Sequence, residues 1–173
     1  YTVTGSDKKE SDITNRLTDM GIEIAYDHSA SNLKDVEMVV VSTAISEGNP
    51  EIKEAKKRSI PILARAEMLS SLMNTKRGIA IAGTHGKTST TSIVASIMTE
   101  AGLDPTFING GIINSFNSNA QLGKGKYLIA EADESDQSFL LLQPSMSIIT
   151  NIEPDHLVNY ENSFENLKLA FLD

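Results

Sequence analysis

Two hydrophobic patterns alternate along the chain: short continuous apolar runs, and longer segments in which apolar residues recur at helical spacing. Runs of about four to eight residues predict strands, whereas helical spacing predicts amphipathic helices. The runs predict strands at residues 1–4, 22–26, 36–42, 60–63, 79–82, 105–108, 127–130 and 147–150. Helices are predicted at 12–20, from Asn49 and Pro50 onward, and at 64–73, 87–100 and 163–172. This alternation is typical of an α/β protein with a parallel sheet.

Three segments carry more specific predictions. Residues 36–42 are almost continuously apolar, as expected of a central parallel strand covered on both faces. Ile93, Val94 and Ile97 are predicted to form the inner face of the helix at 87–100. Residues 109–126 are rich in Gly, Asn and Ser, and a long loop is predicted there, a feature that is usually functional or disordered.

A short polar segment at 74–77 separates two strand–helix series. A boundary there predicts two domains, at residues 1–75 and 76–173. The chain begins with Tyr1 rather than Met and stops at Asp173 within a helical pattern. Both ends are therefore expected to be cut, and the chain is expected to be a fragment of a longer protein.

Composition narrows the class of protein. The 173 residues suffice for one domain with a good core or for two small ones. No apolar run approaches the roughly 18 residues that span a bilayer, so no membrane partner is expected. The net charge of −8 argues against nucleic acid as a partner. Cysteine is absent, which excludes disulfides and thiolate metal sites and fits a cytoplasmic protein.

The strand at 79–82 leads into a glycine turn and then into a helix that opens with lysine and threonine. This order is the architecture of a phosphate-binding loop, in which backbone N–H groups at the helix start face the phosphate. The lysine adds a positive charge, and the threonine hydroxyl can hold a magnesium ion. The candidate nucleotide-binding residues are Gly83, Thr84, His85, Gly86, Lys87, Thr88 and Ser89.

The match to the standard phosphate loop is incomplete. Ile81 stands where the first glycine is expected, and Gly83 lies only three residues before Gly86. The segment is therefore also compatible with an ordinary strand-to-helix turn that carries an incidental lysine. The strand before the turn and the helix after it favour the nucleotide site.

Four carboxylates, those of Glu131, Asp133, Glu134 and Asp136, crowd the end of the strand at 127–130. In isolation such a cluster is equally compatible with a solvated acidic loop. Here it follows a buried strand, and α/β sheets bind ligands at the carboxyl ends of their parallel strands. Magnesium prefers one or two carboxylates beside phosphate oxygens and waters. Glu131, the first of the four to leave the strand, is therefore the candidate magnesium ligand.

The three histidines differ in context. His156 follows the strand at 147–150, beside Glu153 and Asp155, and is a candidate for a metal or phosphate role, although a lone histidine is also often structural or on the surface. The ring of His85 lies inside the phosphate loop, where it either contacts a ligand or shapes the turn. His28 has no such context and is interpreted as a turn residue.

Two strand ends in the first domain are candidates for a sugar or phosphate ligand. Ser42, Ala44 and Ile45 follow the run at 36–42, and small or hydroxyl residues suit such a ligand. Ser6 and Asp7 lie in a predicted turn after the first strand, where an acid contacts the ribose in dinucleotide-type folds. Ordinary helix-capping turns explain both segments equally well.

Several of these segments occur together in one known family. They are I-A-G-T-H-G-K-T-S-T-T (81–91), F-I-N-G-G (107–111), Y-L-I-A-E-A-D-E-S-D-Q-S-F-L (127–140), T-N-I-E-P-D-H-L (150–157), V-V-V-S-T-A-I-S-E-G-N-P-E-I (39–52) and R-A-E-M-L (65–69). With them the chain resembles the Mur ligase family of peptidoglycan synthesis over essentially its whole length. The long acidic motif is specific, whereas G-K-T alone is not.

The resemblance implies a three-domain enzyme. It implies that residues 1–75 are a Rossmann-like domain for the UDP part of the substrate, without its first strand and glycine-rich turn. Residues 76–173 would be a truncated central P-loop-type domain that binds ATP, and the third domain, which reads the amino acid, would be absent. On this basis the UDP-substrate-binding candidates are Ser6, Asp7, Ser42, Ala44 and Ile45, and the fragment is expected to be inactive alone.

The activity implied by the resemblance is ATP-dependent joining of L-alanine to the carboxylate of UDP-N-acetylmuramate through an acyl phosphate. Lys87 would hold the β- and γ-phosphates of ATP, and Thr88 with Glu131 would hold one Mg²⁺. His156, with Glu131, would hold a second ion. The implied catalytic residues are therefore Lys87, Glu131 and His156, and the implied metal ligands are Thr88, Glu131 and His156.

Three alternative functions stay open. A related ligase adds a murein tripeptide to the same nucleotide during wall recycling, and it typically has an aromatic residue where this chain has Ser135. A non-catalytic nucleotide-binding module would use the loop but would not need Glu131 and His156 together. An NAD-binding oxidoreductase is disfavoured because the chain has no G-x-G-x-x-G.

Overall fold

The computed structural model describes residues 1–172, so Asp173, the last residue of the predicted second domain, lies outside the described residues. The chain divides into two compact units, Tyr1–Arg65 and Ala66–Asp173. Helix α3 (Arg65–Met73) packs with the second unit, because Leu69 and Met73 join its core. The functional boundary at 75/76 stays a prediction.

The first unit contains two parallel strand pairs and two helices. Strand β1 (Thr4–Ser6) pairs with β2 (Glu23–Ala25), and β3 (Val39–Val41) pairs with β4 (Ile62–Ala64). The helices are α1 (Asp12–Asp19) and α2 (Pro50–Lys57).

The ends of both helices follow from local side chains. The Ser11 side chain accepts a hydrogen bond from the Thr14 backbone N–H, and the Thr14 side chain accepts one from the Ser11 backbone N–H, which completes a capping box at α1. The Asn49 side chain caps α2 and Pro50 is its first residue, as the sequence predicts.

Two expectations for the first unit are wrong. The segment 36–42 is not a strand covered on both faces, since β3 has three residues and Val40 is 45% exposed. Within residues 1–172, β3 pairs with β4 alone, which leaves its other edge and part of one face open. The first strand is not 1–4 but Thr4–Ser6, so Gly5 and Ser6 belong to the β1–β2 ladder rather than to a turn.

The second unit is built on a five-stranded sheet of order β7-β6-β8-β5-β9. Strands β6, β8, β5 and β9 are parallel, and β7 runs antiparallel along one edge. Strand β5 is buried from Gly78 to Ala82, as its apolar run predicts. The strands are β5 (Arg77–Ala82), β6 (Thr106–Ile113), β7 (Ser118–Gln121), β8 (Tyr127–Glu131) and β9 (Met146–Ile149), and the helices that follow β5 and β9 are α4 (Lys87–Glu100) and α5 (Phe164–Ala170).

The predicted inner face of α4 is confirmed for Val94, which packs against the core, but is wrong for Ile93 and Ile97. Ile93 and Ile97 are 58% and 62% exposed, whereas Thr91 and Ala95 are fully buried. Small side chains four residues apart let the helix approach β6 and β8 closely, and Val94 and Met98 fill the space beside them. Close approach to the sheet therefore outweighs the larger apolar area of the isoleucines.

The segment 109–126 is not one long loop. Residues 109–113 extend β6, and residues 118–121 form β7, which pairs back onto β6 with a shift of register between Ile108 and Ile113. An edge hairpin with irregular register accepts the glycines and asparagines that disfavour regular strands.

No helix within residues 1–172 has both the length and the apolar character that crossing a membrane requires.

Candidate functional site

Three strand ends of the five-stranded sheet meet at one place. The loop 83–86 follows β5 and opens α4, the acidic segment 131–136 follows β8, and residues 150–153 follow β9. Because β5 lies between β8 and β9, both neighbouring segments flank the loop. Gly86 is the residue before α4, with a φ of +83°, and no side chain of the described residues caps the helix. The free N–H groups at this helix start give the loop the character of an anion site.

Lys87 lies across the loop instead of pointing into solvent. Its Nζ donates to the carbonyl of Gly83 at 2.7 Å, to that of Thr84 at 3.3 Å, and to Glu134 Oε2 at 2.7 Å. The ammonium has three protons, and it has three acceptors here. Sequence reasoning placed Glu134 only in an acidic cluster and missed this pairing, since nothing in the spacing singles out one of the four carboxylates.

Thr88 and Glu131 are brought together, as two ligands of one ion must be. The Thr88 hydroxyl donates to the Glu131 carboxylate, at 3.0 Å to Oε2 and 3.3 Å to Oε1. The Gly110 N–H also donates to Glu131 Oε2 at 2.9 Å. A Cβ at position 110 would lie 2.7 Å from that oxygen, so any other residue there would displace the Glu131 carboxylate.

The Thr88–Glu131 pair fits a magnesium ion in its chemistry. Both side chains offer hard oxygen ligands, and Mg²⁺ in proteins takes one or two carboxylates, with waters and phosphate oxygens completing its shell. Residues 1–172 contain no group of three or more His, Cys, Asp or Glu side chains that could hold a metal.

The segment after β9 fastens the loop. The Thr84 N–H donates to the carbonyl of Asn151 at 3.0 Å, and the His85 N–H donates to Asn151 Oδ1 at 2.9 Å. Asn151 Nδ2 donates to the His85 carbonyl at 3.0 Å, and the Thr150 hydroxyl donates to the same carbonyl at 2.6 Å. Sequence reasoning assigned no role to Thr150 or Asn151, although their position at a strand end beside the loop was the available signal.

The two candidate histidines of this unit lie on the surface. His85 Nδ1 lies 3.6 Å from Glu153 Oε2, with the histidine side chain 62% exposed. His156 Nε2 lies 3.7 Å from Asp155 Oδ2, with the histidine side chain 51% exposed. Within the described part of the chain, no hydrogen bond or ion pair joins His156 to Glu131. Binding of one ion by both Glu131 and His156 therefore stays a prediction, and the structure does not bring these two side chains together.

Tyr160 packs behind the acidic segment. Its hydroxyl donates to the backbone carbonyl of Glu134, and the residue is 3% exposed. Burial raises the pKa of Tyr160 to about 12, and the negative charges of Glu134, Asp136 and Asp133 add to the shift. Sequence reasoning did not single out this tyrosine.

The candidates of the first unit form two separate groups. Ser42 Oγ accepts from the Ala44 N–H at 3.2 Å, and the Ser42 carbonyl accepts from the Ile45 N–H at 3.1 Å, so these three residues form a local turn. Asp7 Oδ1 accepts from the Lys9 N–H at 3.1 Å. Such contacts occur in ordinary turns as well as in ligand-binding ones, so they do not distinguish between the two.

Ser6 instead belongs to a partly buried polar cluster that we call the Glu51 cluster, made of Ser6, His28, Asn32 and Glu51. Ser6 Oγ donates to Glu51 Oε2 at 2.8 Å, and Asn32 Nδ2 donates to Glu51 Oε1 at 2.8 Å. His28 Nδ1 lies 3.3 Å from both Ser6 Oγ and Glu51 Oε2. His28, interpreted from the sequence as a turn residue, does lie outside the helices and strands, but the folded chain joins it to Ser6 and Glu51, a contact that the sequence does not indicate.

Two family models match the chain, one after the other. The model described as "Mur ligase family, catalytic domain" matches residues 1–77, and the model described as "Mur ligase middle domain" matches residues 81–172.

Curated relatives match over nearly the whole chain. It is 55% identical over 172 residues to the UDP-N-acetylmuramate–L-alanine ligase of Pelobacter propionicus and 54% identical over 173 residues to that of Geobacter sulfurreducens. These matches cover 99% and 100% of the chain but 37% of each relative. The chain thus spans less than two-fifths of the length of these relatives.

Solved structures show the same fold. The crystal structure of the UDP-N-acetylmuramate–alanine ligase of Thermotoga maritima matches with a TM-score of 0.90 and 36% identity, over 98% of this chain and 40% of that one. A murein peptide ligase from Psychrobacter arcticus matches with a TM-score of 0.79 and 26% identity, over 93% of this chain and 41% of that one.

Proposed function

The chain belongs to the Mur ligase family, and from this premise we propose that it is the nucleotide-binding part of an ATP-dependent ligase that joins L-alanine to UDP-N-acetylmuramate. The second unit would bind ATP and the first would bind the UDP portion of the acceptor. The observation that carries the proposal is the loop at 83–88, with Lys87 and the Thr88–Glu131 pair at adjoining strand ends.

The proposed reaction begins with phosphoryl transfer. The carboxylate of UDP-N-acetylmuramate attacks the γ-phosphorus of ATP, which forms an acyl phosphate and releases ADP. The amine of L-alanine then attacks the acyl carbon, and inorganic phosphate leaves as the amide forms. In such a transfer the protein mainly positions the reacting groups and offsets their negative charge. The loop 83–86 and the Lys87 ammonium would do both.

The residues of the loop would divide this work. The N–H groups at the start of α4 would face the phosphates, and the ammonium of Lys87 would offset the charge of the β- and γ-phosphates. The Thr88 hydroxyl and the Glu131 carboxylate would hold Mg²⁺, which supplies charge neutralisation at the phosphate oxygens. Asn151 and Thr150 would keep the loop in shape, since they bond its backbone from the neighbouring strand end.

The first unit would bind the UDP portion near Ser6, Asp7 and the turn at Ser42, Ala44 and Ile45. Support for this part of the proposal comes from the match of residues 1–77 to the family. A cytoplasmic location fits soluble substrates of this kind and stays a prediction.

A ligase that adds a murein tripeptide is the second candidate, since the Psychrobacter arcticus enzyme shares the fold. Ser135 favours the alanine-adding reaction. Ligases that add the tripeptide typically have an aromatic residue at this position, where this chain has serine. The higher identity to alanine-adding relatives points the same way.

The test is a chimera in which residues 1–173 replace the matching segment of the Geobacter sulfurreducens ligase. We expect ADP formation that requires both UDP-N-acetylmuramate and L-alanine, and a fall of several orders of magnitude in a Lys87→Ala chimera that unfolds at the same temperature. A folded chimera that prefers the tripeptide would support the second candidate. Near-normal turnover without Lys87 would contradict the site.

A further inference from the structure

We propose that Glu134 is a positioning residue for Lys87, holding the ammonium in the loop in the orientation that ATP binding uses. The inference deepens the proposed function and rests on the assignment of the loop as an ATP site. The spacing of the acidic segment does not distinguish Glu134 from the other three carboxylates; its contacts do.

The Lys87 ammonium has two short hydrogen bonds and one longer one. Lys87 Nζ lies 2.7 Å from Glu134 Oε2 and 2.7 Å from the Gly83 carbonyl, and the bond to the Thr84 carbonyl is longer, at 3.3 Å. Of the three bonds, the one to the Thr84 carbonyl is the easiest for a phosphate oxygen to replace, because it is the longest. The two shorter bonds then keep Nζ in place. Glu134 supplies the only one of these acceptors that carries a charge.

The Glu134 side chain is 1% exposed and that of Lys87 is 13% exposed. Glu134 Oε1 is buried and has no hydrogen-bond partner among residues 1–172. A buried carboxylate with one unpartnered oxygen contributes little to the stability of the fold, because its hydrogen bonds offset the desolvation of the charge only in part. Its position against the loop lysine is better explained by orientation of that lysine.

Glu134 is also held rigidly. The Tyr160 hydroxyl donates to its backbone carbonyl, and Asn159 donates to the carbonyl of Ser135 at 2.7 Å. The backbone of Glu134 is thus held from the segment Leu157–Tyr160, which forms a short 3₁₀ turn. Lysine has a long, flexible side chain, so a fixed carboxylate spares the entropy of ordering it when the nucleotide binds.

The experiment is a double-mutant cycle on binding of Mg²⁺-ATP to the 173-residue chain, with Lys87→Ala, Glu134→Ala and the double variant. We expect Glu134→Ala to weaken binding at least tenfold and Glu134→Gln, which keeps an acceptor, to weaken it about two- to threefold. In the Lys87→Ala background, Glu134→Ala should cost less than about twofold, because a positioning residue acts only through its partner. An equal loss in both backgrounds, or unchanged affinity in Glu134→Ala, overturns the proposal.

A second readout does not depend on nucleotide. In chain labelled with ¹⁵N at lysine, the Lys87 Nζ protons should exchange slowly with water in the wild type and in Glu134→Gln, and rapidly in Glu134→Ala. Rapid exchange in the wild type contradicts the positioning role even if ATP binds. Slow Lys87 exchange in a wild type that fails to bind Mg²⁺-ATP leaves the orientation of Lys87 standing and instead refutes the proposed ATP site.

Discussion

The two units differ in what holds the segments that follow the carboxyl ends of their strands. In the second unit, side chains and backbone from three adjoining strand ends meet at the loop 83–86, and bonds from the neighbouring strand end hold the backbone of Thr84 and His85. In the first unit, the turn that begins at Ser42 is held by bonds between its own residues, and Ser6, at the end of β1, is joined to His28 after β2 and to Glu51 of α2.

The difference follows from the sheets. The loop of the second unit leaves a buried strand with a parallel neighbour on each side, so two further strand ends are placed beside it. The strands β1 to β4 have three residues each and pair two by two, so each strand end has at most one such neighbour among the described residues. A site on a wide sheet is positioned by the sheet, whereas the first unit depends on one buried glutamate.

The largest effect is expected where the loop meets residues 150–151. A Cβ at Gly83 would lie 2.2 Å from Thr150 Oγ1 and 2.7 Å from the Asn151 carbonyl, at a φ of +124°. We expect Gly83→Ala to destabilise the second unit by about 3 kcal/mol, from overpacking and left-handed strain together, and to abolish Mg²⁺-ATP binding. Urea unfolding and nucleotide titration measure the two effects.

Gly86→Ala is the matched control. Gly86 has a φ of +83°, but a Cβ added there would meet no atom of residues 1–172 within 4 Å. Only the backbone strain of about 1 kcal/mol is therefore expected. Equal losses in the two variants would show that the contact with residues 150–151 does not shape the loop.

The next effect tests the dependence of the first unit on Glu51. Glu51→Ala removes the acceptor of Ser6 and Asn32, and we expect a loss of about 2 kcal/mol. Hydrogen exchange should quicken in residues 1–65 and stay unchanged in residues 66–172. Glu51→Gln, which keeps one acceptor, should lose less. Uniformly faster exchange throughout the chain would contradict the separation of the two units.

Asn151→Ala removes the two side-chain bonds to His85, and we expect a loss of about 1 to 2 kcal/mol with weaker nucleotide binding. Asn32→Ala in the first unit is the comparison, since it removes one bond to Glu51 without touching the loop. Nucleotide affinity should fall in the first variant only. A fall in both would mean that affinity follows general stability.

The last effect is a pH dependence that appears only in alkaline solution. The pKa of Tyr160 is raised to about 12 from 10.0, so the folded chain favours the neutral phenol. Its stabilising contribution is complete below pH 10 and declines between pH 10 and 12, by about 1.4 kcal/mol at pH 11. Tyr160→Phe should lose this part of the pH dependence in urea unfolding. An unchanged alkaline decline in that variant would assign it to other groups.

The sequence predicted well what depends on neighbours in the chain. The buried strand β5, the glycine turn and the start of α4 at Lys87 follow from an apolar run, two glycines and a helix start, and the α/β class is confirmed. The same local logic placed Glu131 at the end of β8, where it meets Thr88.

What the sequence did not predict depends on packing between distant segments. The choice of Glu134 as the partner of Lys87, and of Asn151 as the clamp on His85, depends on which strands adjoin β5. The exposure of the Ile93 and Ile97 side chains depends on how closely α4 approaches the sheet, and hydrophobic spacing alone does not predict that distance.

The most direct test of the central claim is titration of the 173-residue chain with ATP in the presence and absence of Mg²⁺. We predict one saturable site that needs Mg²⁺, weakens at least tenfold in Lys87→Ala and in Glu131→Ala, and is unchanged in Lys57→Ala, which removes an equal charge from an exposed side chain of the first unit. Binding that is indifferent to Mg²⁺ and equal in all three variants would contradict the claim that the loop at 83–88 is the ATP site.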